Sequence, residues 1–185
     1  MTGPVIVDLF LSVDGWAKGV DSPGYFGYGG PDLRRWIADA AASEQRVLLG
    51  RRTYEAFEAL PLEFRDEGYR RMAQTPTTVF SRTLSEAAWP AATVTAHGPV
   101  EYVRAWRGSR LRTMGSLSIA RQLLDAGVVD RLRLLVFPCL VGDRGREAPF
   151  DSVRSADLEV VEQRLLDGRI VFVEYRPTGR PAPPA

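Results

Sequence analysis

The apolar residues of this chain fall into short continuous runs separated by segments of helical period, and that alternation predicts its architecture. Val5 to Leu11 is apolar throughout except for Asp8, as befits a strand buried on both faces. Behind Pro31, a residue suited to the first position of a helix, Leu33, Trp36, Ile37, Ala40 and Ala41 recur at helical spacing. Arg46 to Leu49 is a second strand, and Tyr54 and Phe57 begin a short helix that Pro61 ends. A polar helix is expected over about Glu63 to Ala73, then a third strand at Thr77 to Ser81 and a short fourth at Thr93 to Ala96. Gly98-Pro99 opens a helix carrying Val100, Val103 and Trp106. Leu111 to Met114 is a strand, and Gly115-Ser116 opens a helix with Leu117, Ala120, Leu123 and Leu124 inward, stopped by Gly127. Arg131 to Leu140 alternates and then turns wholly apolar, as a central strand would. Leu158 to Leu166 and Arg169 to Arg176 flank Asp167-Gly168, a two-residue hairpin signal.

Strands alternating with helices imply an α/β fold: a mostly parallel, doubly wound sheet closed by a C-terminal antiparallel hairpin. One domain over residues 1–176 is expected. The tail 177–185 carries four prolines and no core-forming residue, so it is expected to be disordered. Gly15 to Gly30 holds six glycines and one proline, a long irregular loop of the kind that usually serves function.

Composition narrows the classes. A formal net charge of +1 argues against a general nucleic-acid binder. No apolar run is long enough to span a bilayer, and the N-terminus shows no basic segment ahead of a long apolar stretch. A single Cys139 excludes an internal disulfide and, with no secretory signal evident, points to the cytoplasm. One His and one Cys argue against a metal site.

The chemistry concentrates where strands end. Gly50-Arg51-Arg52-Thr53, Ser81-Arg82 and Gly115-Ser116-Leu117-Ser118 each follow a predicted strand. They supply backbone N–H groups at two helix starts, hydroxyls, and guanidinium groups that grip a phosphate with paired hydrogen bonds. Open α/β sheets bind ligands beyond the carboxyl ends of their strands. The Gly-x-Gly-x-x-Gly fingerprint and the Walker motif are both absent. Plainer readings stand beside these. Gly50-Arg51 also fits a strand-to-helix turn, Ser81 a turn residue, and Ser116 an N-cap. Asp32 near a helix start can serve the helix dipole alone, and Asp14 beside Gly15 a turn. His97 reads as a loop residue and Cys139 as a small buried hydrophobe in a strand. Tyr25, Phe26 and Tyr28 either pin the glycine-rich loop to the core or form a lid that stacks on a planar substrate.

These motifs resemble a known superfamily. Gly50-Arg51-Arg52-Thr53-Tyr54-Glu55 resembles the helix-opening cofactor motif of dihydrofolate reductases, Val79-Phe80-Ser81-Arg82 their 2′-phosphate motif, and Met114-Gly115-Ser116 their pyrophosphate glycine pair. Within the superfamily the chain is more similar to the reductase domain of the bifunctional riboflavin-biosynthesis deaminase–reductase. Ser12-Val13-Asp14-Gly15, the segment Leu123 to Leu132, and Phe137-Pro138-Cys139-Leu140-Val141-Gly142 leading to Pro149-Phe150 carry that similarity. The resemblance spans Val5 to about Tyr175.

The resemblance implies an oxidoreductase using NADPH to transfer a hydride to a C=N carbon of a heterocyclic or ribosylamino substrate, and a homodimer. It implies Arg51, Arg52, Ser81 and Arg82 for the 2′-phosphate, and Gly50, Thr53, Gly115, Ser116, Leu117 and Ser118 for the pyrophosphate. Phe10 and Leu11 fall to the nicotinamide, Tyr25, Phe26 and Tyr28 to the substrate, and Asp32 to the catalytic carboxylate. The segment before Pro31 lacks the tryptophan that precedes the proline in dihydrofolate reductases. The rival reading is a nucleotide-binding protein of the same fold without turnover.

Overall fold

The computed structural model describes residues 3–20 and 24–183. The strands are β1 (Val5–Ser12), β2 (Lys18–Gly19), β3 (Gln45–Gly50), β4 (Thr77–Phe80), β5 (Ala92–Thr95), β6 (Arg110–Met114), β7 (Arg131–Phe137), β8 (Gly145–Arg146), β9 (Leu158–Leu166) and β10 (Ile170–Pro177). The helices are α1 (Pro31–Ala42), α2 (Arg51–Glu58), α3 (Glu67–Gln74), α4 (Pro99–Ala105) and α5 (Leu117–Asp125). Eight strands form one sheet in the order β5-β4-β3-β6-β1-β7-β10-β9. The first six are parallel, β10 joins β7 antiparallel, and β9 closes the edge antiparallel to β10. β2 and β8 make a separate two-stranded pair. The mostly parallel sheet with its antiparallel closing hairpin is the architecture the alternation predicts.

β1 lies between β6 and β7, which explains its unbroken apolar run. Val5, Val7, Leu9 and Leu11 pack with Val103 of α4 and with Leu117, Ile119, Ala120 and Leu123 of α5. On the opposite face, Leu33, Trp36 and Ala40 of α1 meet Leu135, Phe137 and Phe172. A third cluster holds Val47, Leu49, Tyr54, Val79 and Trp89 beneath α2 and α3. Helices thus cover both faces of the sheet, and burial of these faces supplies the main folding drive.

Two terminators act as the sequence predicts. Gly127 takes a left-handed φ of 64°, and its N–H reaches the Leu124 carbonyl at 3.0 Å while Val128 N–H reaches Leu123 at 3.2 Å, closing α5. Asp167 and Gly168 have φ of 50° and 68°, the paired left-handed turn that matches hairpin twist.

Three segments differ from expectation. The polar helix expected from Glu63 begins only at Glu67, because the Asp66 carboxylate caps it by accepting from Tyr69 N–H at 3.0 Å; a 3-10 turn, Leu62–Phe64, precedes it. The central strand expected to Leu140 stops at Phe137, since Pro138 has no N–H for the ladder. Leu140 is consequently 76% exposed, and Cys139 is half-buried outside the strand rather than inside it. After β10, Thr178 N–H donates to the Asp157 carbonyl at 3.0 Å, and Arg180 pairs with the Asp157 carboxylate at 2.8 Å. The first part of the tail expected to be disordered therefore has fixed partners.

Candidate cofactor-binding site at the carboxyl ends of the strands

β4, β3 and β6 are parallel neighbours, so Ser81, Gly50 and Gly115 leave the sheet at the same edge. Gly50 is paired in register with Phe80, which puts the first and second motifs side by side. A side chain ties the first to the third. The Ser116 hydroxyl, in a residue only 3% exposed, accepts from Gly50 N–H at 3.0 Å. Neither α2 nor α5, which begin immediately after these residues, has a side-chain cap. The first-turn N–H groups of two helices, with the positive ends of their dipoles, thus emerge next to each other.

The surroundings fit an anionic ligand. Gly115 has a φ of 64°, disfavoured for residues with a side chain, and a Cβ there would meet no atom within 4 Å, so the space above it is open. Arg52 and Arg82 are exposed and form no ion pair or hydrogen bond among the described residues. Arg51 is half-exposed and bonded to Glu55 one turn on, at 2.9 and 3.2 Å. An exposed pair of that kind is weak and easily exchanged for a stronger anion. Ser118 is exposed at the same junction, Thr53 is half-buried, and Leu117 packs into the core. The Ser81 hydroxyl shapes its own turn by accepting from Thr83 and Leu84 N–H at 3.1 and 2.9 Å.

On the other side of β1 the glycine-rich loop brings a cluster of rings together. Tyr25 meets Phe10 edge-on at 5.1 Å, and Phe26 and Tyr28 lie 5.7 and 5.9 Å from Phe137. The Tyr28 hydroxyl donates to the Pro138 carbonyl at 3.0 Å, anchoring the loop. Tyr25 and Phe26 both hold a left-handed φ of 52°, a conformation that costs a residue with a side chain about 1–2 kcal/mol. Tyr25 exposes part of its ring, but desolvation of its hydroxyl raises the phenol's pKa, with the nearby Arg112 pulling the other way. Leu11 is buried and presents only backbone.

Asp32 is engaged with the hairpin turn. Its Oδ2 accepts from Asp167 N–H at 3.0 Å, while the Asp167 carboxylate accepts from Asp32 and Leu33 N–H at 2.9 and 3.0 Å. Asp167 thus caps α1 from a remote position in the chain. A Cβ on Gly30 would sit 2.1 Å from the Asp167 Cγ, which explains the glycine there. Asp32 also lines a cavity of about 290 Å³ between α1 and β9, apart from the Gly50–Ser116 junction. Asp14, at the end of β1, accepts from Val141 N–H at 3.1 Å and Gly142 N–H at 2.7 Å. The Ser12 hydroxyl beside it and these N–H groups lower its pKa to about 2.

Sequence reasoning missed the most heavily charged group in the core. Asp8 is fully buried; Arg112 Nε reaches its Oδ2 at 2.5 Å, and Arg133 grips both oxygens at 2.7 and 3.0 Å. Both guanidinium groups lie over the ring of Trp36, at 5.7 and 5.3 Å. The signal was the single acidic break in an apolar run.

No curated protein matches the chain significantly. Solved structures do. A putative riboflavin biosynthesis protein from Shewanella sp. PV-4 superposes with a TM-score of 0.65 at 16% identity, over 96% of this chain and 99% of that one. The diaminohydroxyphosphoribosylaminopyrimidine deaminase/5-amino-6-(5-phosphoribosylamino)uracil reductase of Thermotoga maritima matches with a TM-score of 0.65 at 17% identity, over 95% of this chain but 57% of its own. Dihydrofolate reductase from Enterococcus faecalis, complexed with NADP(H) and RAB-propyl, gives 0.63 at 14% identity, over 96% and 98%. The fold is therefore dihydrofolate-reductase-like. The family model described as the RibD C-terminal domain matches residues 4–172, and the chain belongs to that family.

Proposed function

We propose that the protein is an NADPH-dependent reductase that delivers a hydride to a C=N carbon of a heterocyclic or ribosylamino substrate. The observation that carries this reading is the Gly50 N–H···Ser116 bond, which joins two uncapped helix starts beside unpartnered arginines. Gly50, Thr53 and the Gly115–Ser118 segment would hold the pyrophosphate, and Arg51, Arg52, Ser81 and Arg82 the 2′-phosphate. Bound nicotinamide supplies the hydride; the chain's own work is to align the reacting carbons and exclude water. Phe10 and Leu11 fall to the nicotinamide, and the Tyr25, Phe26 and Tyr28 loop covers the substrate. Family membership supports a reductase, and the Enterococcus faecalis neighbour was crystallised with NADP(H). The substrate class follows the reductase named for the Thermotoga maritima neighbour.

Asp32 keeps Oδ1 free of any hydrogen bond among the described residues, and that oxygen would face the substrate. The other carboxylate oxygen is held by Asp167, and this favours one alternative: a nucleotide-binding protein without turnover. NADPH oxidation in the presence of pyrimidine and pterin imines separates the two. Turnover with any of them, reduced at least tenfold by Asp32→Asn while NADPH binding is unchanged, supports the reductase. Tight NADPH binding with no turnover supports the alternative.

A further inference from the structure

At the amino-terminal edge of the sheet, opposite the cofactor motifs, the structure holds a second cavity of about 460 Å³. Its wall includes Arg110 of β6, Arg131 and Arg133 of β7, Glu174 of β10, Asp130 and Ile6. The volume is that of a small-molecule site. We propose that this cavity binds a small oxyanion, a ligand carrying a carboxylate or phosphate group, through these arginines.

The carboxylates on hand are already committed. Glu174 is paired with Arg131 at 3.1 Å, and the Asp130 carboxylate accepts from Val5 N–H at 2.8 Å. Asp8 is shared between Arg133 and Arg112. The Arg110 side chain makes no ion pair or hydrogen bond among the described residues, although the residue is half-buried in the wall. Arg133 is 9% exposed and spends Nε and Nη2 on Asp8, while its Nη1 makes no hydrogen bond among the described residues. In the wall itself three guanidinium groups meet two carboxylates, Asp130 and Glu174, which leaves a surplus of positive charge at the cavity. An arginine fork matches a carboxylate or phosphate in two parallel bonds. The site is distinct from the cofactor motifs, because β6 and β7 begin here and end at the opposite edge.

The test is calorimetric titration of the full chain with inorganic phosphate and, separately, malonate, at constant ionic strength against chloride. Arg110→Ala removes the unpartnered arginine without breaking any internal bond; Arg82→Ala is its counterpart at the cofactor edge. A saturable binding step of either anion that is weakened tenfold or more by Arg110→Ala and unchanged by Arg82→Ala supports the site. Which anion binds identifies the head group. No saturable binding of either overturns it, as does a titration in which every binding step survives Arg110→Ala or is lost with Arg82→Ala. The last pattern assigns the anion to the cofactor motifs and leaves the proposed reductase activity standing.

Discussion

Replacing Asp8 by Asn leaves the volume of the core unchanged and removes the only negative charge between two buried guanidinium groups. Asp8 has no exposed surface, and its two oxygens accept three N–H bonds from Arg112 and Arg133, which are 3% and 9% exposed. An asparagine must also turn its NH2 group toward one of these cations. Breaking one side of a buried ion pair costs about 3–5 kcal/mol, because the remaining charge is stranded rather than merely unpaired. For a domain of this length each kcal/mol moves Tm by about 2–4 °C, so Asp8→Asn is expected to lower Tm by roughly 6–20 °C. Replacing the whole group, as Asp8→Leu with Arg112→Met and Arg133→Met, removes the desolvation cost together with the attraction. That triple variant is expected to lie within about 1 kcal/mol of wild type or above it. Urea denaturation followed by circular dichroism measures both. A loss below about 1 kcal/mol in Asp8→Asn would mean instead that the freed arginines reach water at little cost and that the ion group is not stranded.

Asp167→Ala removes the remote cap of α1 and is expected to cost about 1–2 kcal/mol by denaturant unfolding, more than Asp167→Asn, which keeps an acceptor and tolerates the left-handed turn. Gly30→Ala drives a Cβ into the Asp167 carboxylate and is expected to destabilise strongly alone, but by clearly less than its single-variant cost when combined with Asp167→Ala. Asp14 has its pKa lowered from 3.8 to about 2 in the folded protein, so its contribution is complete above pH 3.8 and disappears as pH falls toward 2. Stability measured across that window should therefore fall less steeply in Asp14→Asn than in wild type; parallel curves would exclude the linkage.

What the sequence made legible was local. The run from Val5, the Gly127 stop and the Asp167-Gly168 turn each depend on neighbours within a few residues, and each formed where expected. The strand-end positions of Gly50, Ser81 and Gly115 were also legible, because each follows a short apolar run that forms a strand of the sheet. Boundaries shifted where one residue supplied a stronger local term: Asp66 delayed α3, and Pro138 cut β7 short. Long-range partnerships were invisible. Asp8 meets Arg112 and Arg133 across more than a hundred residues, and Asp167 reaches α1 across 135. Nothing in the spacing of Pro31-Asp32-Leu33 shows that a carboxylate from the hairpin occupies the start of that helix.

Side-by-side titration with NADPH and NADH reports on the proposed phosphate-binding edge of Gly50, Ser116 and the flanking arginines. The four Trp residues provide the fluorescence signal. NADPH is expected to bind at least tenfold more tightly, about 1.4 kcal/mol, with the preference reduced by Arg82→Ala and by Arg51→Ala. Equal affinity for the two nucleotides, a preference that survives both substitutions, or binding of neither would contradict it.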